Sequence, residues 1–238
     1  MMSRTTIALL LALLALSLGC AHADCKRALD AVDASLGELE ALSTGQEETE
    51  DPARLHAQVQ ALGEEFKRQG AALATVELEN EDNALSVRSI SESMTEHGAL
   101  LLESAEAAAA MVELAGKRGR QLEELERAGQ ALERACEEDP HACNLGFAKS
   151  MLRSADDEGS ALMALKMVRE KAEEAAARSE FTEIDEAAAE LIRVIDENLE
   201  RAGATLDVEA TMNRVKQRQE ELLFELDRAI GGLRAYCE

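Results

Sequence analysis

The sequence predicts an all-α protein: an elongated antiparallel coiled-coil-like helical hairpin with a short N-terminal helix packed at its base, or alternatively a compact bundle of five or six helices. Three observations carry this. Only two prolines, Pro52 and Pro140, interrupt 238 residues rich in Ala, Glu, Leu and Arg, a composition that suits helix and little else. Apolar residues recur at alternating spacings of four and three from Leu55 to Cys136. The stretch Cys136-Glu137-Glu138-Asp139-Pro140-His141-Ala142-Cys143 is a turn with a cysteine at each end, set between two helical runs of nearly equal length.

The chain begins with a targeting segment. Arg4 is the one charge in Met1 to Thr6, and Ile7 to Leu18 is a 12-residue apolar run, too short to span a bilayer. Residues 1–23 are therefore expected to be a signal peptide and residues 24–238 a single helical domain. Two processing readings stand side by side. Ala21-His22-Ala23 has the small-x-small form of an ordinary cleavage site and leaves Asp24 first. Leu16-Ser17-Leu18-Gly19-Cys20 resembles a bacterial lipobox, with Ser17 where that pattern usually has an aliphatic residue. The resemblance implies cleavage after residue 19 and lipidation of Cys20, and the following Ala21 implies an outer-membrane destination.

The first mature helix is expected from about Cys25 to Ser43, with Leu29, Val32, Leu36 and Leu39 on one stripe and a stop at Thr44-Gly45. The linker from Gly45 to Pro52 contains acids and no apolar residue, and Asp51-Pro52 pairs an N-cap with a first-turn proline. From Leu55 the seam runs through Val59, Leu62, Phe66, Leu73, Val76, Val87, Ile90, Met94, Leu101, Met111, Leu122, Leu125 and Leu132. Seventeen of its 24 positions are apolar, where composition alone would give about 11, so the spacing predicts one unbroken supercoiled arm. Gln69, Asn80, Asn83, His97, Ser104, Arg118 and Gly129 are the polar or glycine exceptions, residues that fix register or mark a break.

The return arm, Asn144 to Tyr236, is less regular. Thr182-Glu183-Ile184-Asp185 reads as a fresh N-cap, and Gly203-Ala204-Thr205 as a C-cap followed by a new start. A fold-back centred near residue 140 would set Asn80–Asn83 opposite residues 200–203 and His97-Gly98 opposite Thr182. These weak points are either shared bends of a hairpin or true turns of a bundle.

With Cys20 removed or lipidated, Cys25, Cys136, Cys143 and Cys237 remain, an even number that in an exported chain reads as two disulfides. Three connectivities are possible. Matched arms bring the C-terminus back to the base, so the hairpin predicts Cys25 with Cys237 and Cys136 with Cys143.

The mature chain carries 24 Lys and Arg against 48 Asp and Glu, a net charge of −24. That charge repels nucleic acid and anionic membrane alike and keeps a thin molecule soluble. No HExxH, CxxCH or phosphate-cradling glycine loop occurs, so no catalytic residue, cofactor or metal site is expected. Of the four histidines, His22, His56, His97 and His141, only His97 falls on the seam, where a tolerated core residue is the ordinary reading. Glu79-Asn80-Glu81-Asp82-Asn83 lacks the ligand spacing of a calcium loop.

The expected function is that of an exported, non-enzymatic helical scaffold, spacer or interaction module. Its place would be the periplasm or outer membrane of a bacterium, or a secreted fraction otherwise. The expected partner is an envelope protein; self-association is open, and membrane contact would come only through a lipid on Cys20. The alternative is a bundle that holds a lipid or an unfolded chain in a groove.

Overall fold

The computed structural model describes the backbone of residues 4–45, 51–137 and 158–237, with side chains from Ala23 onward except Glu158. The described residues are all-α: α1 (Arg4–Thr44), α2 (Pro52–Ala74), α3 (Glu81–Ala135), α4 (Glu158–Arg178) and α5 (Thr182–Cys237). They fall into two compact units, one of residues 1–106 and 212–238, the other of residues 107–211, so α3 and α5 each contribute to both.

In the first unit, α1, α2, the first half of α3 and the last turns of α5 enclose one core. Ala28, Val32 and Leu39 meet Leu73, then Val87, Ile90 and Met94, then Leu226 and Leu233. Leu100, Val215 and Leu222 form a second cluster. Each fully buried large side chain contributes about 1.5–3 kcal/mol relative to exposure. Helix α1 presents the expected Leu29, Val32, Leu36, Leu39 stripe to this core and ends at Thr44. At its other end it does not start at Cys25: the Ala- and Leu-rich residues before it, which include no proline, carry the helix back to Arg4. The Asp51 carboxylate accepts from the Ala53 N–H at 3.0 Å, with Pro52 opening α2.

The arm expected to run unbroken from Leu55 is cut at residues 75–80, because both sides of the gap are capped. The Thr75 hydroxyl donates to the Ala72 carbonyl, while Asn80 Oδ1 accepts from the Asn83 N–H at 3.0 Å and opens α3. Helix α2 then folds back along α3, and three glycines set how close the backbones come. A Cβ on Gly98 would stand 2.5 Å from the Gly63 carbonyl oxygen, and one on Gly70 would stand 2.8 Å from that of Ser91. Arg218 bonds Glu96 at 2.8 and 3.1 Å, and Arg214 bonds Glu103, so α5 runs antiparallel to α3. The expected facing of His97-Gly98 with Thr182 is thereby overturned: His97 and Gly98 lie against Phe66 and Gly63 of α2.

In the second unit, Leu125, Ala128 and Leu132 of α3 pack with Leu165, Val168, Ala172 and Ala175 of α4 and with Ile184, Ala188, Leu191, Val194 and Ile195 of α5. Alanines on all three segments allow close packing, and Arg169 ties α4 to α5 through Asp196 at 2.8 Å. Helix α5 begins at the expected Thr182, with Glu183 and Asp185 in its first turn, where acids favour the helix dipole. It does not stop at Gly203. Thr205 donates to the Arg201 carbonyl from inside an unbroken helix, since a helical glycine costs only about 1 kcal/mol and apolar stripes are buried on both sides of it. The turn expected near Pro140 lies outside the described residues.

Candidate functional site

The most constrained polar cluster lies where α1, the 75–80 turn and the end of α5 meet in the first unit. Cys25 and Cys237 are bridged, with Cα atoms 5.3 Å apart and 212 positions between them in sequence. Asn83, fully buried, sets its carboxamide against the bridge, Nδ2 lying 3.6 Å from Cys25 Sγ and Oδ1 3.9 Å from Cys237 Sγ. Bridged sulfurs carry no proton, so only Nδ2 can donate there, as a weak hydrogen bond. Asp24, only 3% exposed, accepts from the backbone N–H of Glu79 at 2.6 Å and of Asn80 at 2.7 Å. Arg27 donates to the Glu77 carbonyl at 3.0 Å. Asp24 and Arg27, one turn apart on α1, thus grip backbone groups of Glu77, Glu79 and Asn80 between the two helices.

The acidic stretch Glu79-Asn80-Glu81-Asp82-Asn83 runs from the end of this turn into the first turn of α3, and its asparagines are used structurally: Asn80 as a cap and Asn83 as a core residue. Cys136 is also disulfide-bonded; Cys143, the partner expected for it, lies outside the described residues, as does the side chain of Cys20.

His97 is 7% exposed. Its ring stands edge-on to Phe66 with centroids 4.6 Å apart, and its Nδ1 is buried with no hydrogen-bond partner. Loss of hydration holds its pKa below the ordinary histidine value. His56 sits on α2; His141 and the side chain of His22 lie outside the described residues. Among the described residues no hydrogen bond or ion pair joins His97 to a carboxylate, cysteine or second histidine, and no group of three such side chains can hold a metal ion.

A groove of about 530 Å³ separates α3 from α5 in the first unit. Its α3 wall is Ser86, Ser89 and Ser93 below an exposed Leu85, and its α5 wall is Glu225, Arg228, Ala229 and Gly232. Both sets follow the helical spacing of three and four that puts residues on one face. Sequence reasoning passed over them because serine, alanine and glycine at that spacing look like any solvated helix face. The signal available was three serines in register beside the apolar stripe Val87, Ile90 and Met94. Asp24 was likewise read only as a new N-terminus, since nothing in its sequence neighbourhood points to a turn more than fifty residues away.

No protein family, curated protein or solved structure matches the chain.

Proposed function

We propose that this chain is an exported helical scaffold or interaction module of the periplasm or cell envelope, acting through its surface without catalysing a reaction. The observation that carries the reading is the Cys25–Cys237 bridge, closed over a 212-residue separation and seated on buried Asn83. Structural disulfides persist in oxidising compartments and are rare where thiols are kept reduced, which agrees with the apolar leader at Ile7 to Leu18. Surface action is supported by apolar side chains left in solvent on α5, where Phe224 is 70% and Leu223 50% exposed, against an otherwise heavily charged exterior.

The test is fractionation with thiol trapping in the native host. The full chain should appear in the exported fraction with its cysteines protected from alkylation, and a chain lacking residues 1–23 should stay in the cytoplasm with reactive thiols. A full chain that remains cytoplasmic with alkylatable cysteines would overturn the reading. For the interaction role, a photo-reactive residue at position 224 should yield a discrete adduct in living cells that the same group at exposed Glu209 does not.

A second reading is favoured by one observation, the groove between α3 and α5: a bundle that holds a small ligand rather than a protein.

A further inference from the structure

We propose that the groove between α3 and α5 binds a singly charged amphiphile, a carboxylate or phosphodiester on an apolar body, with Arg228, Ser89 and Ser93 holding the oxyanion. The inference rests on the second reading above and supplies its ligand chemistry.

Arg228 makes no ion pair or hydrogen bond with any described residue, although acids outnumber bases two to one in the mature chain. The arginines nearest it on α5 are committed, Arg218 to Glu96, Glu221 and Glu225 and Arg234 to Asp33. Across the groove, Ser93 is a lining residue, 9% exposed, and its hydroxyl makes no hydrogen bond with a described residue. A side chain nine-tenths buried ordinarily satisfies its hydroxyl. Ser89, four residues before it, is also unbonded, while Ser86 donates to the Asp82 carbonyl at 2.9 Å.

Two unbonded hydroxyls on the α3 wall and an unpaired guanidinium on the α5 wall match an oxyanion, which can accept from all three. Glu225 on the same wall, itself 3.3 Å from Arg218, disfavours a dianion and limits the ligand to one negative charge. Leu85, 54% exposed, and Ala229 supply an apolar wall for the rest of the molecule. The volume lies within the usual range of small-molecule pockets, about 300–1,000 Å³, and the space beside Gly232 is open, since a Cβ there would meet nothing within 4 Å.

Octanoate and dibutyl phosphate, titrated into the oxidised mature protein and followed by amide chemical shifts, test this and separate the two sources of the charge. Saturable shifts at Ser89, Ser93 and Gly232 with either anion are expected, octanoate pointing to a fatty-acid-like ligand and dibutyl phosphate to a lipid headgroup. Octanol and acetate at equal concentration should leave these amides unmoved. Arg228→Gln should weaken binding at least tenfold, and Gly232→Met, which has room to fold, should abolish it, both with unchanged helicity and melting. If neither anion shifts these amides, the groove reading and the oxyanion assignment both fall. If octanol binds as well as octanoate, or Arg228→Gln binds as wild type, the groove reading survives and the oxyanion assignment falls. Acetate binding as tightly as octanoate would overturn the apolar body.

Discussion

The carboxylate of Asp24 holds the backbone N–H of Asn80 at 2.7 Å across 56 residues of sequence, and the same oxygen takes the N–H of Glu79. The entry to α3 is therefore organised by the turn of α1 that holds Asp24.

Replacing Asp24 by Ala leaves two turn N–H groups without their acceptor. Hydrogen bonds to charged groups contribute about 1.5–3 kcal/mol each, but Glu79 is exposed and water can replace part of the loss, so Asp24→Ala should cost about 2 kcal/mol in urea unfolding. Asp24→Asn keeps an acceptor without the charge and should cost about half as much. A loss under about 0.5 kcal/mol for the alanine variant would mean that the turn is held by something else.

Glycines give a paired test. At Gly98 a Cβ would sit 2.5 Å from the Gly63 carbonyl oxygen and 2.8 Å from the Lys67 nitrogen, and neither backbone atom can rotate away. Gly98→Ala should destabilise by about 1–3 kcal/mol, the usual cost of overpacking. At Gly116, also inside α3, a Cβ meets nothing within 4 Å, so Gly116→Ala should stabilise by about 1 kcal/mol through helix propensity alone. Opposite signs in denaturant midpoints are expected; equal effects would refute the close α2–α3 contact.

These residues also show what the sequence could express. Helix content, the α1 stripe, the Asp51-Pro52 start and the Thr182 start were legible because each rests on neighbours within one or two turns. The break at 75–80 was legible only as one of two readings of the weak point at Asn80–Asn83. Leu73, Val76 and Val87 continue the apolar spacing across it, and periodicity cannot tell a continuing helix from two helices whose phases agree. What decides is long-range: Asp24 and Arg27 bind the turn's exposed backbone groups, and Gly63, Gly70 and Gly98 let α2 lie close on α3. Polar seam positions carried a correct signal of burial at Gln69, Asn83 and His97, but they reported contact with α1, α2 and α5 and not the register of a two-stranded coil. The groove was invisible for the converse reason, since its ligand-facing groups are defined by lacking partners, and a sequence does not display which hydroxyls go unbonded.

The Cys25–Cys237 bridge should contribute much of the first unit's stability. Closing a loop of 212 residues removes unfolded-state entropy equivalent to about 5 kcal/mol in the chain-entropy account. The double variant Cys25→Ser, Cys237→Ser leaves any bridge at Cys136 intact, so its thermal unfolding isolates this term. A marked fall in melting temperature, with fraying reported by faster amide exchange near Asn83, is expected. An unchanged melting temperature would show that Asp24 and the Leu226–Leu233 packing suffice to hold the chain ends.

Stability should also fall on mild acidification, through His97. Burial against Phe66 disfavours the charged imidazole and lowers its folded pKa, while in the unfolded chain the group titrates near about 6.5. The neutral form is thus the one the fold prefers, and its contribution is intact above about pH 6.5, eroding as pH drops from there towards the lowered folded pKa because the unfolded chain takes up the proton more readily. Glu65 and Glu96, held below the ordinary carboxylate value by hydrogen bonds from Arg68 and Arg218, lose their contributions only at lower pH, beginning near the ordinary glutamate value of about 4.3, so the window from about pH 6.5 to 5 separates the two effects. Urea midpoints at pH 7.5, 6 and 5 should decline for the wild type. For His97→Leu they should be nearly flat, and at pH 7.5 that variant should match or exceed the wild type, because it also removes an imidazole nitrogen buried without a partner. Parallel declines for both proteins would assign the acid sensitivity to other groups.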